Sequence, residues 1–481
     1  MGGGIYGVML TLEAVLRGLR PLLLERHDFG GATSFNSLRI VHGGLRYLQT
    51  LDLKRHVESV QERRWFLANF PDLASPLPCL MPLYGKGVRR KSIFRAAMLI
   101  NDLLSINRND GVREDRSIPR GKVISKAETV AAFPDVDATN LQGAALWHDA
   151  AIPDSQRVVM ELLRWAAHYG ADAANYMQVS ALSIKDNVVG GVVAQDRESG
   201  SEWSFRAPVV INSAGPWSED MAEKMGGKAD RWFWPSLAWN ILTDKPALSE
   251  CALALTPPRA GGPTYFLHPW KGRLLIGTGH APWNGAVDNP STSGEQIEAT
   301  LDDINASVPG LALTPANVER VFAGLLPAAG PHSARLSTKP AVVDHSKSGG
   351  PRGLVSICGV KFTTARRVAA HTLDKVFGAK RAGGGSGSPR PHAAQAWQSG
   401  TVDFSDDGAN QRYREGLGRL VADESPMNLR DVVFRRTDLW ESPDLALRLA
   451  PKICDSFAWR EDRKEAELAA LGEELARPDS R

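Results

Sequence analysis

Apolar positions near the start of the chain recur at helical spacing: Ile5, Val8, Leu12, Val15, Leu16 and Leu19 share one face, Gly18 stands at the helix end and Pro21 closes the turn. Leu22, Leu23 and Leu24 then form a short apolar run, the pattern of a buried parallel strand. The spacing predicts a helix over 53–70 and another in "DSQRVVMELLRWAAHYG", leading within 145–182 to a strand near Val179. Residues 187–211 alternate like a hairpin and end in "APVVINSAGPW", and 232–343 read mostly as strands, among them "GPTYFLHPW" and "GRLLIGTGH". "GLVSICG" is a further apolar strand, followed by a helix in "KFTTARRVAAHTLDKVFG" that starts near Thr363 or Thr364. "AKRAGGGSGSPRPHAAQ" has the composition of a linker, and 400–481 read as several helices.

Strand–helix alternation at both ends of a long segment, with a mostly β insert between, predicts an α/β protein, α+β overall. A Rossmann-like domain is expected from discontinuous segments, 1–75, 145–225 and 335–378. A β-rich substrate domain is expected over 76–144 and 226–334, a linker over 379–399, and a small helical C-terminal domain over 400–481.

Gly2, Gly4 and Gly7 form G-x-G-x-x-G, whose glycines permit a tight turn, close approach to a pyrophosphate and packing of the helix on a sheet. With 45 glycines in 481 residues the pattern alone is weak. Its register with the helix, the strand and Glu25, about 20 residues on, gives it weight, because a carboxylate there accepts from ribose hydroxyls. That acid favours FAD or NAD over NADP; the bland alternative is a glycine-rich tail before an ordinary helix. No strand precedes the loop. Either another segment fills that central slot or the numbered chain starts inside a longer protein. The second is the expectation, with an unfilled groove and weak FAD binding as its consequences.

Hydrophobic content of 43% suits two domains and a small third. A net charge of +3, mixed along the chain, gives no reason to expect nucleic acid as a partner. Cys79, Cys251, Cys358 and Cys454 have no metal-ligand spacing, which fits a reducing, cytoplasmic compartment and no metal. No signal peptide is legible, and no apolar run approaches the ~20 residues of a membrane span. In "VRRKSIFRAAMLINDLL", Ile93, Ala97, Ile100 and Leu104 form a stripe behind Arg89, Arg90, Lys91 and Arg95. Such a helix either packs on its own domain with a solvated basic end, the preferred reading, or lies on an anionic membrane surface.

The blocks "ATSFNSLRIVHGGLRYL", "NSAGPW", "FLHPW", "LIGTG" and "SICGVKFTTARRVA", in that order, resemble the FAD-dependent glycerol-3-phosphate dehydrogenases, within the wider D-amino-acid-oxidase-like flavoproteins. The resemblance covers about 1–378, with a weaker echo at "NLRDVVFRRTDL". It implies that Gly2, Gly4 and Gly7 hold the FAD pyrophosphate, Glu25 the ribose and Val179 the adenine. Thr33, Ser34, Ser37 and His42, Gly43, Gly44 and Leu45 would run along the pyrophosphate and flavin, with Ala214 and Gly215 at a strand end. Gly359, Lys361, Phe362 and Thr363 would face the flavin's pyrimidine edge, and Arg46 and Tyr47 the substrate. Taken singly, His42 also reads as a core histidine and Tyr47 as packing. Arg46, a cation in an otherwise apolar segment, needs an anionic partner.

Departures concern substrate. Leu326 stands where the family has a phosphate-binding arginine, Asn240 where it has histidine, Lys339 where it has arginine and His280 where it tends to have aspartate. The expected reaction is oxidation of a secondary alcohol, glycerol 3-phosphate or a related anionic substrate, by hydride transfer to flavin N5. Arg46, Lys339 and Lys361 would anchor the anion, His42 or His280 act as base, and a quinone or another acceptor take the electrons. A D-amino-acid-oxidase-like amine or hydroxy-acid oxidase and a non-catalytic flavin-binding protein stay open as alternatives, as do peripheral contact with the inner face of the cytoplasmic membrane and a homodimer.

Overall fold

Leu22–Leu24 pairs in parallel with Asp172–Ala174, and Val210–Asn212 pairs in parallel with Leu354–Cys358, which is flanked by antiparallel Ala341–Asp344. The computed structural model describes residues 1–85, 90–378, 407–476 and 479–480, so the expected linker 379–399 and Arg89 lie outside the described residues. Between the two halves of this sheet run Met1 and Gly2. The Met1 ammonium donates to Ile211 O at 2.8 Å, Ser213 N to Met1 O at 2.9 Å and Gly2 N to Leu24 O at 2.8 Å. The slot expected to be an open groove is thus bridged by the first two residues.

The Ile5–Leu16 helix follows at once and packs on Ser155–His168 and Ala365–Phe377. Val8, Met9 and Leu12 are buried with Leu162, Val355, Ile357 and Ala369, so the 3.6-residue stripe of the first helix closes one face of the sheet. Leu53–Asn69, capped by Asp52 accepting from Arg55 N at 3.1 Å, covers the same core. Met177–Lys185, Val188–Asp196 and Glu202–Arg206 make a separate antiparallel sheet, whose first strand carries Val179.

A second, ten-stranded sheet runs 479–480, 318–327, 235–246, 273–282, 265–270, 252–255, 75–83, 143–151, 40–41, with 122–124 paired to 143–151. Alternation on Pro235–Pro246 sends Leu237, Trp239 and Ile241 into a core under the Gly294–Ser307 helix. Ala238 and Asn240 point to the other face, toward the half that carries the glycine loop. His280 lies opposite Ala238, and Leu326 opposite Ser236, on neighbouring strands.

The C-terminal region is helical, with Asp407–Glu424, Pro443–Cys454 and Glu461–Leu475. It is fastened to the rest by Phe434 and Trp440, which pack with Phe35, Trp270 and Phe322, and by the ion pairs Arg436–Asp28 and Arg157–Glu424.

The Lys91–Leu104 helix packs on its own domain with Arg90 and Arg95 exposed, but through other residues than the predicted stripe. Phe94 and Met98 are its buried side, against the 143–151 strand; Ile93, Ala97 and Ile100 face an internal cavity, and Leu99 and Leu103 are 72% exposed.

Candidate functional site

A cavity of about 1340 Å³ runs between the two sheets. At one end is the glycine loop. Gly2 has φ +97, and a Cβ there would stand 2.6 Å from Ser213 O; one on Gly4 would stand 3.1 Å from Ser34 Oγ. Gly2 thus requires glycine, while at Gly4 the fit against Ser34 is merely tight. Gly7 lies beneath, where a Cβ would run into the Gly2 carbonyl.

Ser34 Oγ accepts from Ile5 N at 3.0 Å, seating the 32–34 turn on the helix start. Glu25 accepts from Gly3 N at 2.5 Å and His27 N at 2.8 Å through different oxygens, which leaves lone pairs for ribose hydroxyls. Burial holds its carboxyl above the usual range, against the pull of those amides. Val179, Ala214 and Gly215 line the same end, Thr33 and Ser37 the middle, and Gly359, Phe362 and Thr363 the wall beyond. The cradle of unsubstituted backbone, helix start and fixed carboxylate fits a dinucleotide.

The far end is cationic. Arg46, Lys361, His42 and His280 all line it, with Asn240, Thr278 and Leu326. Lys361 Nζ lies 4.5 Å from the Tyr47 ring centroid and Arg46 Cζ 5.8 Å, while the His42 ring meets Tyr47 edge-on at 6.1 Å. Tyr47 is 6% exposed and off the cavity surface, so it is the aromatic platform on which these groups are gathered. Burial, then Arg46, pulls the Lys361 ammonium down to about 7. Burial, followed by Lys361, Arg46 and Arg63, holds His42 well below the usual imidazole value, and burial with Arg46 brings His280 to about 4. Both rings are therefore neutral near pH 7, each presenting an unprotonated ring nitrogen as a hydrogen-bond acceptor. Asp149, the carboxylate in this wall, is already engaged by Gly43 N at 2.6 Å and Arg63 at 3.3 Å.

Four sequence-predicted residues sit elsewhere than expected, the first being Tyr47, which stands behind the cations and off the cavity lining. Lys339 is on an exposed turn off the cavity lining, because Ser337 Oγ folds back to Lys339 O at 2.8 Å. Gly43 and Gly7 lie behind the lining; a Cβ on Gly43 would collide with the Arg63 guanidinium. Gly44 and Leu45 line the cavity.

Tyr6 was not singled out by sequence. Its hydroxyl donates to Lys361 O at 2.7 Å and accepts from Lys361 N at 3.1 Å, and its ring fills the space a Cβ on Gly359 would take. An aromatic inside the glycine fingerprint was the available signal. Arg430 and Arg435, from the C-terminal helices, also reach the cavity wall, and no local pattern announces that.

A family model described as FAD dependent oxidoreductase, DAO, matches residues 1–374. The chain is 30% identical to a glycerol-3-phosphate dehydrogenase of Synechocystis sp. over 79% of this chain and 70% of that one. It is 30% identical to a glycerol-3-phosphate dehydrogenase of Mycobacterium leprae over 78% of this chain and 62% of that one. Several of these curated relatives are thus spanned over less than two thirds of their length. Among solved structures, the glycerol-3-phosphate dehydrogenase of Bacillus halodurans complexed with FAD superposes with a TM-score of 0.69 at 21% identity, covering 99% of this chain and 94% of that one. An L-alpha-glycerophosphate oxidase of Mycoplasma pneumoniae with FAD bound superposes with a TM-score of 0.57 at 15% identity, covering 78% and 93%.

Proposed function

Because the chain belongs to the family of FAD-dependent oxidoreductases, we propose that it oxidises a small anionic secondary alcohol, with glycerol 3-phosphate as the reference substrate. Bound FAD supplies the acceptor for the hydride that leaves the carbinol carbon. Gly2, Gly4 and Glu25 hold its diphosphate and ribose, and the 359–363 segment, braced by Tyr6, its other end. Arg46 and Lys361 bind the substrate's anionic group, and His42 takes the hydroxyl proton on a ring nitrogen.

The observation that carries this reading is the gathering of Arg46, Lys361 and His42 around Tyr47 at one end of a cavity whose other end is the glycine loop. Two cations facing the cavity beside an already engaged Asp149 favour a negatively charged substrate. The test is anaerobic addition of glycerol 3-phosphate to the purified, FAD-loaded protein. Bleaching of the flavin is expected; none with glycerol 3-phosphate, α-hydroxy acids or amines would end the proposal.

Leu326 favours a second reading. It puts an isobutyl group in the cavity wall where the resemblance led us to expect arginine, which suits a hydroxy acid or amine better than a phosphate dianion. The same bleach, run with each class, separates the two.

Ile93, Ala97 and Ile100 make part of the cavity wall apolar, and Leu99, Leu103 and Ile106 extend the apolar surface outward beside Arg90 and Arg95. Among the described residues no helix is long and apolar enough to cross a membrane. We assign this face to peripheral contact with an anionic membrane on its cytoplasmic side and to delivery of electrons to a quinone.

A further inference from the structure

Among the described residues Arg435 forms no ion pair, although Asp28 and Asp431 lie close enough to act on its charge. It comes from the 432–436 turn, is 4% exposed and stands in the cavity wall near Asp28 and Gly31. Its Cζ lies 4.4 Å from the Phe35 ring centroid, and its Nη2 is 3.6 Å from where a Cβ on Gly31 would be. Nη1 has no hydrogen-bond partner among the described residues. Of these two acids, Asp28 is taken by Arg436 through both oxygens and by Asn175 at 3.1 Å, and Asp431 accepts from the Tyr176 hydroxyl at 2.8 Å and from Met427 N at 2.8 Å. Burying a guanidinium without an anion is costly, so such a group is normally completed by a ligand or a partner.

The neighbours say which ligand. Gly30 N donates to Gly3 O at 2.9 Å, and Ser34 Oγ accepts from Ile5 N, so the 30–34 segment beneath Arg435 is pinned to the glycine loop. Arg39 differs in its access: its Nη1 is held by Ser155 and Gln156, and although its Nε and Nη2 also lack hydrogen-bond partners among the described residues, rings of Phe35, Trp270, Phe322 and Trp440 surround it and it does not reach the cavity, so no ligand there could meet it.

We infer that Arg435 is a cofactor-binding residue that donates to the diphosphate held at the glycine loop, making the C-terminal helical region part of the FAD site. The inference rests on assigning the cavity to FAD. It is tested on flavin-free protein titrated with FAD, ADP and adenosine, in wild type and in Arg435→Gln and Arg435→Met, two variants that keep much of the buried stem. FAD and ADP should weaken by about ten-fold or more, as expected when a buried charge pair loses one partner, while adenosine, which lacks the diphosphate, should bind as in wild type. Whichever variant keeps the wild-type circular dichroism decides the matter. Unchanged ADP and FAD affinity in it overturns the inference, and equal loss for adenosine overturns it too by pointing to general collapse of the site. A wild-type protein that binds neither FAD nor ADP would instead remove the cavity's assignment.

Discussion

Lys361 shows how a single residue's chemistry is set by where it is packed. Burial and Arg46 bring its ammonium to about 7 in the fold, against about 10.4 for an unfolded chain. Between those values the unfolded state binds the extra proton, so the flavin-free protein should gain stability as pH rises from about 7 to 10. Melting temperatures across that range should climb in wild type and climb less in Lys361→Met; parallel curves would reject the shifted lysine. In the loaded protein, Lys361→Met should also lower kcat/KM for an anionic substrate by about a hundred-fold, the scale of losing one positioned charge donor. Leu326→Arg is the opposite test. It should lower KM for glycerol 3-phosphate and leave kcat near its starting value, since it adds binding common to ground and transition states. Steady-state kinetics with both phosphorylated and carboxylate substrates would show it, and no change in KM would mean the substrate's anion sits away from this strand.

At the scale of elements, the Lys91–Leu104 helix has three faces where its sequence showed one stripe. Periodicity identifies which residues share a side of a helix, not what that side meets. Here Phe94 and Met98 take the packed side, so the stripe of Ile93, Ala97 and Ile100 falls at the cavity and Leu99 and Leu103 outward. Replacing Leu99 and Leu103 by serine should abolish sedimentation with anionic lipid vesicles and leave turnover with a soluble dye acceptor unchanged. Undiminished vesicle binding would reject the membrane face. The first helix and Glu25 behave differently: their glycine loop, apolar stripe, strand and acid follow one another within about 25 residues, so local spacing was enough to read them.

Across the whole molecule, the C-terminal helices are joined to the nucleotide-binding half by a bond that no local pattern could reveal. The Arg436 side chain is fully buried and forks onto Asp28, 408 positions away in sequence. Arg436→Met should destabilise the protein by about 3–5 kcal/mol, the cost of leaving one member of a buried pair uncompensated. Denaturant unfolding measures it, and a loss under ~1 kcal/mol would show that the aromatic cluster of Phe35, Phe434 and Trp440 alone holds the region.

The sequence by itself determined the elements and the chemistry that travels within short stretches: the Gly2–Gly4–Gly7 loop, Glu25, the run from His42 to Tyr47, and the Gly359–Thr363 turn. Each of these depends on backbone conformation or neighbours a few residues away, which spacing records directly. Tertiary structure alone decided which stretches meet. It set Tyr6 against Lys361, put Tyr47 behind the cations and off the cavity lining, left Lys339 in solvent, carried Arg435 to the cavity wall at Gly31 and bridged the central sheet with Met1 and Gly2. Those outcomes come from pairings between strands and side chains tens to hundreds of residues apart. They are fixed by burial of the shared core and by satisfying buried polar groups, terms that no window along the chain contains.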